Sequence, residues 1–257
     1  MRCQVEKATP TKSSQSIVDE SIEEILSYGI ENERIKKYGD NHRVRFAYDL
    51  DYSKNYLDSG AKVLDCGAWP FFSTLAHAKL GYQMFALDAD ASRLGDIISQ
   101  IDIAPTTCNI ETDSIPFEDF YFDAILFNEV FEHMRINLIF TMSELFRVLK
   151  PGGVLFLSTP NIRSVGGIYN LLVRDLCYSS TPSVYDQFEK LNSLGHMGHM
   201  REYTATETID FLARIGFQTE GIIWRGEYSG KKGIIAKLFP HLRKRFTVVA
   251  RKPPSLK

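Results

Sequence analysis

The chain is poor in cysteine: Cys3, Cys66, Cys108 and Cys177 are the only four in 257 residues, and no two form a CxxC pair. That excludes a disulfide framework or a zinc ribbon and predicts a reducing, cytoplasmic setting. It also lacks any apolar run near the roughly 18 residues that would suggest a membrane span. The opening stretch, MRCQVEKATPTKSSQS, is polar and carries no apolar core of a signal peptide. No GxxxxGK[ST] segment is present, which argues against a P-loop nucleotide enzyme. No GxGxxG is present either; the run is Gly67-Ala68-Trp69-Pro70-Phe71-Phe72, with one glycine and no pyrophosphate cradle. With 44% hydrophobic and 24% charged residues, the chain still has enough apolar material to fold throughout.

Charge is unevenly placed. Residues 225–257 carry ten Lys/Arg against one acid, Glu227, a formal +9; residues 1–224 therefore carry −11 within a net charge of −2. A basic tail can meet phosphates or an anionic membrane surface. Its alternating apolar residues also read as a folded, solvated β-hairpin balancing an acidic body.

Residues 1–15 read as unstructured. Ile17, Val18, Ile22, Ile25 and Leu26 recur at helical spacing, and a second helix fits 31–38. From Ala61 the rhythm is strand, helix, strand. Strands fit 62–66, 83–87, 106–110, 122–128 and 154–158; helices fit 71–80, 92–100 and 137–150. Continuous apolar strands separated by helices predict a doubly wound, mostly parallel α/β sheet of seven strands with helices on both faces. The organisation expected is a flexible N-terminus with N-terminal helices over 1–57 and a cofactor-binding domain over 58–257. An insertion at about 161–203 is too long for a plain connection and reads as a lid that selects the acceptor. Its Gly166-Gly167 pair supplies freedom at the entrance, and Tyr169, Tyr178 and Tyr185 supply rings. Helix returns at Thr204, which with Glu207 forms a capping-box pattern.

Ligands of a doubly wound sheet bind at the carboxyl ends of its strands. Those ends offer Asp65, Gly67 and Ala68, then Asp88 and Ala89, then Asn109 and Ile110, then Asn128 and Glu129. Asp88 follows Gly67 by 21 residues, the spacing of an acid that accepts from ribose hydroxyls. A nucleoside cofactor without a pyrophosphate fits, and Asp65 suits a cationic one. The segments VLDCGAW (63–69), FALDAD (85–90), CNIETDSIPFED (108–119), FDAILFNEVFEH (122–133) and LFRVLKPGGVLFLSTPN (145–161) resemble the successive motifs of class I S-adenosylmethionine-dependent methyltransferases. They are most similar to the branch called methyltransferase type 11. GHMREYTATETIDFLARIGF (198–217) resembles the segment before that branch's last strands, and the likeness runs over about residues 60–252.

The resemblance implies S-adenosylmethionine as cofactor, with Asp65 and Gly67 at its methionine end, Asp88 on the ribose and Asn109–Ile110 beside the adenine. Two departures stand out. Trp69 and Phe71 occupy positions where the motif has its second and third glycines, and Asn109 stands where an acid is frequent. Trp69 either narrows the methionine pocket or packs outward under the loop.

Glu129 and His133, four apart on a presumed helix start, form a candidate general base, as a carboxylate beside an imidazole raises its basicity. His199, Arg201 and Tyr203 are the candidate acceptor-binding residues. His196 and His199 with Glu129 and His133 suggest a metal site only weakly, and none is expected. Trp224 and Tyr228 can stack on a sugar. The function expected is methylation of a small molecule, O-methylation of a sugar or glycan precursor. The alternatives are a lipid or quinone precursor at a membrane surface, reached through the basic C-terminal segment, and a regulatory module that binds cofactor without chemistry. A nucleic-acid partner is not expected for so acidic a body.

Overall fold

A computed structural model describes residues 2–6, 9–28, 33–90, 100–181, 183–194 and 198–254. Eight strands form one mostly parallel sheet: β1 (Arg2–Val5), β2 (Lys62–Cys66), β3 (Gln83–Asp88), β4 (Pro105–Thr107), β5 (Phe122–Asn128), β6 (Leu149–Pro160), β7 (Gln218–Arg225) and β8 (Arg245–Arg251). Their order is β1-β7-β8-β6-β5-β2-β3-β4. The helices among the described residues are α1 (Lys12–Ser27), α2 (Glu33–Ser53), α3 (Phe72–Ala78), α4 (Leu138–Val148), α5 (Val165–Arg174), α6 (Val184–Leu194), α7 (Ala205–Ile215) and α8 (Gly230–Leu238). The helix expected at 92–100 falls almost wholly outside the described residues.

The chain divides into two compact units. One comprises 7–126 and 147–154; the other comprises 1–6, 127–146 and 155–257. In the first, β2 pairs in parallel with β3 and β5, and β3 with β4. The apolar stripe of α1 meets α2 and α3 in a core that includes Val18, Ile22, Phe46, Leu50, Phe72 and Leu75. Thr11 caps α1 by accepting from the Ser14 amide, and its own amide and hydroxyl donate to Asp51 of α2 at 2.8 and 2.6 Å. The N-terminal helices thus pack as part of this unit.

In the second unit β7 and β8 run antiparallel and β1 pairs in parallel with β7. Residues 1–15, which look unstructured in sequence, therefore contain a strand, the eighth of the sheet. Glu6 secures it. Its carboxylate accepts from Arg225 Nε and from the Gly226 amide, both at 2.9 Å, and Arg225 is fully buried. The basic segment between β7 and β8 is not a plain hairpin: it forms α8 and a single 3₁₀ turn, Pro240–Leu242. Thr204 and Glu207 make the expected capping box at α7, which ends at Gly216 with φ 121°.

The stretch 161–203 contains two helices, α5 and α6. Gly166 and Gly167 do not loosen its entrance. They lie buried in the first turn of α5, where a Cβ on Gly167 would stand 1.9 Å from the Ile162 carbonyl oxygen. Close backbone packing requires glycine there. Tyr228 Oη accepts from the Gly166 amide at 3.1 Å, so this ring helps hold α5.

Candidate functional site

In the first unit the cofactor candidates follow the carboxyl ends of β2, β3 and β4. Gly67, with φ 73°, turns the chain after β2, and the amides of Gly67 and Ala68 both donate to the Leu87 carbonyl. Asp65 is buried and accepts from Thr74 Oγ1 at 2.7 Å. Deep burial pushes its carboxyl up to about 7, with Asp49 adding to the rise; the Thr74 hydrogen bond and the Arg45 guanidinium pull the other way. Asp88 is also buried. Its Oδ2 accepts from the Trp69 amide at 3.2 Å and its Oδ1 from the Asp90 amide at 3.0 Å. These bonds orient the Asp88 carboxylate at the end of β3.

The glycine-poor loop keeps a glycine-like backbone. Phe71 has φ 72°, in the left-handed region, and its amide donates to the Ala68 carbonyl at 2.7 Å. That conformation costs a non-glycine residue about 1–3 kcal/mol. Burying the phenyl ring in the α1–α2–α3 core offsets it. Trp69 packs outward against the same core, with its ring 6.2 Å from that of Tyr38. Ala89 and Asn109 are exposed and Ile110 is buried. Asn109 Oδ1 accepts from the Glu111 amide at 3.2 Å, closing a local turn after β4.

In the second unit β5 ends at Asn128, whose Oδ1 is buried and has no hydrogen-bond partner among the described residues. A buried acceptor left open at a strand's carboxyl end suits a ligand's donor, such as a cofactor amine or hydroxyl. Glu129 follows with φ 59°, so 129–133 is not the continuous helix that would stack Glu129 on His133. A single 3₁₀ turn, Phe131–His133, takes its place. The Glu129 carboxylate accepts from Ser158 Oγ at 3.0 Å.

Glu132 and Glu202 both face the His199 imidazole, and spacing singled out neither. Glu132 is buried; its Oε2 accepts from Thr159 Oγ1 at 2.9 Å and its Oε1 lies 3.9 Å from His199 Nε2. His133 and His199 meet edge to face with ring centroids 4.9 Å apart. The Glu132 carbonyl accepts from the Met200 and Arg201 amides, which fixes segment 198–203 beside the turn. Behind His199, Glu202 Oε1 lies 3.3 Å from Nδ1. Burial favours the neutral form of Glu202, but hydrogen bonds from His199, Ser179 and Ser180 outweigh it and hold its carboxyl below the ordinary range. Tyr203 packs on Phe131 at 4.5 Å, and burial pushes its phenol up. Arg201 lies over the Tyr203 ring and pairs with Glu207. His196 lies outside the described residues. Trp224 rests against His241 and Phe246.

Beside this cluster a cavity of about 660 Å³ is lined by Leu176, Tyr178, Val184, Met200, Arg201 and Glu202 among others. Glu132, His133 and His199 each offer a metal-ligating atom, all within 4.8 Å of one another.

Comparison with known proteins places these features. A 34% identity over 118 residues links the chain to a ubiquinone biosynthesis O-methyltransferase of Xanthomonas oryzae pv. oryzae, over 44% of this chain and 48% of that protein. The mitochondrial ubiquinone biosynthesis O-methyltransferase of Rattus norvegicus is 27% identical over 143 residues, 52% of this chain and 41% of that protein. The chain thus spans about half the length of the curated relatives it matches. A SAM-dependent methyltransferase structure from Methanosarcina mazei superposes with a TM-score of 0.56 at 18% identity, over 79% of this chain and 98% of that one, and shows the shared fold. The family model described as a methyltransferase domain matches residues 31–221, from α2 into β7, and so takes in both the Asp88 loop and the histidine cluster. By that match the chain belongs to the family of Rossmann-like, S-adenosylmethionine-dependent methyltransferase domains.

Proposed function

We propose that the chain O-methylates a small amphiphilic acceptor, a ring hydroxyl carrying an apolar tail, at an anionic membrane surface. S-adenosylmethionine supplies an electrophilic methyl group. Asp88 accepts from the ribose hydroxyls, Asp65 faces the charged methionine end, the buried Asn128 oxygen takes a donor of the cofactor, and Asn109–Ile110 flank the adenine. The cluster of Glu132, His133 and His199 draws the proton from the acceptor hydroxyl, as an oxygen nucleophile of high pKa requires. Arg201 and Tyr203 bound the acceptor side.

The observation that carries the acceptor class is the surface of α5 and α8. These helices adjoin, and they expose Leu172, Val173, Ile234, Leu238 and Phe239, with Leu172 77% and Leu238 69% accessible. Lys231, Lys232 and Lys237 stand among them, α8 holds no acid, and Lys232 Nζ lies 4.8 Å from the Tyr169 ring centroid. Apolar side chains within a cationic frame match a bilayer with anionic headgroups. The names of the ubiquinone-pathway relatives agree with an apolar-tailed acceptor. A second reading, a sugar hydroxyl, draws on the polar side of the cavity, where Tyr178, Arg201 and Glu207 stand.

Sedimentation with phosphatidylglycerol vesicles tests the first reading. The protein should co-sediment, bind phosphatidylcholine far less, and lose binding in L172D/L238D. Labelled methyl transfer should favour prenylated phenols over sugars. Absence of vesicle binding together with sugar methylation would replace the first reading with the second.

A further inference from the structure

We propose that the loop ahead of β8 binds an oxyanion of the phosphate class, with the buried guanidinium of Arg243 as its fork. Arg243 is 7% exposed, and its Nε and Nη1 have no hydrogen-bond partner among the described residues. The carboxylate facing its Nη2 belongs to Glu227, at 3.7 Å, beyond hydrogen-bond reach and on a side chain that is 62% exposed. A guanidinium keeps its charge wherever it lies, so donors left open inside the fold are costly unless a ligand takes them. The other buried arginine of this unit shows what a structural role looks like. Arg225 Nε donates to Glu6 at 2.9 Å and its Nη1 to Thr247 Oγ1 at 3.1 Å. The Nε and Nη1 of Arg243 meet no such acceptors among the described residues.

Further cations gather round this guanidinium. The run His241-Leu242-Arg243-Lys244-Arg245 holds no acid. Asn161 fixes its backbone: Nδ2 donates to the carbonyls of His241 and Arg243, and the Asn161 amide donates to the Lys244 carbonyl, each at 2.9 Å. Asn161 follows β6, and Arg245 opens β8 opposite Arg225 at the end of β7, so the loop lies where β6 and β7 end. Ligands of doubly wound sheets bind at that edge. Partial burial and then the Arg163 charge hold the His241 imidazole below its ordinary value. Partial burial and then the Arg245 charge do the same for the Lys244 ammonium. Positive charges thus crowd one another here, and a bound anion relieves that repulsion.

A planar fork matches two oxygens of a tetrahedral oxyanion, and a lysine adds a point charge. Several cations against one exposed carboxylate suit a phosphate better than a singly charged carboxylate. Glu227 stands where the anion would meet Nη2 and, being exposed, can swing aside. This binding goes beyond the O-methylation reading and does not rest on it. The phosphate can be that of a soluble metabolite or of a lipid headgroup, and the test separates the two.

The full chain, freed of phosphate by dialysis, is titrated with inorganic phosphate and with glycerol 3-phosphate, read by calorimetry against sodium chloride at equal ionic strength. One site per chain is expected. Arg243→Met, which keeps an apolar stem and removes the fork, should weaken phosphate by about tenfold or more, and Glu227→Gln should strengthen it. Thermal unfolding without phosphate reports that each variant is folded, and Lys244→Gln, at a more exposed position, serves if Arg243→Met is not. Tight binding of glycerol 3-phosphate assigns a soluble phosphoester. Weak binding of both soluble anions, with binding to equimolar phosphatidylcholine–phosphatidic acid vesicles that is lost in Arg243→Met, assigns a lipid headgroup. Heat no greater than that of chloride, with vesicle binding absent or unchanged in Arg243→Met, would overturn the site. A folded Arg243→Met that binds phosphate as tightly as the parent would overturn it too. L172D/L238D should lose vesicles and keep inorganic phosphate, so failure of the membrane reading leaves this site standing.

Discussion

The two units surround their carboxylates differently. Asp65 and Asp88 stand at neighbouring strand ends and are oriented by neutral donors, the Thr74 hydroxyl and the amides of Trp69 and Asp90. Glu132 and Glu202 instead flank one imidazole, His199. Under the proposed function the first arrangement meets a cation that arrives from outside. The second spends its carboxylates on histidines inside the protein. A carboxylate's neighbours, as well as its place at a strand end, set the chemistry open to it.

The comparison is broken most directly by a crossed pair of variants. His133→Ala should lower turnover about 10²–10⁴-fold, the loss expected when proton removal goes unassisted. S-adenosylhomocysteine affinity should stay within about twofold, as calorimetry would show. An equal loss of cofactor binding would merge the two clusters into one. Asp88→Ala should do the reverse. It should weaken S-adenosylmethionine by about 1.5–3 kcal/mol, the value of hydrogen bonds to a charged group. Turnover at saturating cofactor should hold near the parent rate.

The smallest effect sharpens the comparison through pH. The folded Asp65 carboxyl titrates near 7, above an unfolded value of about 3.9. In cofactor-free protein its contribution to stability is therefore full below about pH 4 and is lost as pH rises through 7. A cationic cofactor favours the ionised form. Binding below pH 7 must release that proton, so affinity should rise with pH from 5.5 to 7 by up to about tenfold per unit and then level off. Asp65→Asn should flatten that slope; a slope unchanged in the variant would assign it elsewhere.

Legibility in sequence followed the distance over which each part is built. The strand–helix rhythm from Ala61 and the Gly67 and Asp88 positions depend on neighbours within about twenty residues, and spacing showed them. Phe71 kept the turn geometry without the glycine that normally marks it, because core burial rather than chain freedom stabilises it. The histidine cluster draws on 132–133, 159 and 199–202. Spacing pointed to Glu129 as the partner of His133; the left-handed backbone at Glu129 breaks the helix that this spacing assumed, and Glu132 lies against His199. The stretch that holds α5 and α6 was read from its length as an insertion, although both helices carry an amphipathic stripe.

The Glu6–Arg225 pair links residues 219 positions apart. As the chain leaves the ribosome, the acid is made 219 residues ahead of its partner, so β1 has no strand to join until β7 exists. Contacts of such separation form late, since the intervening loop must close first. Residues 2–6 are thus a closing clasp: they join the sheet edge of the histidine-bearing unit only after β7 has been synthesised. A chain truncated ahead of Gln218 would display that edge strand unpaired, in the state most open to capture by another chain.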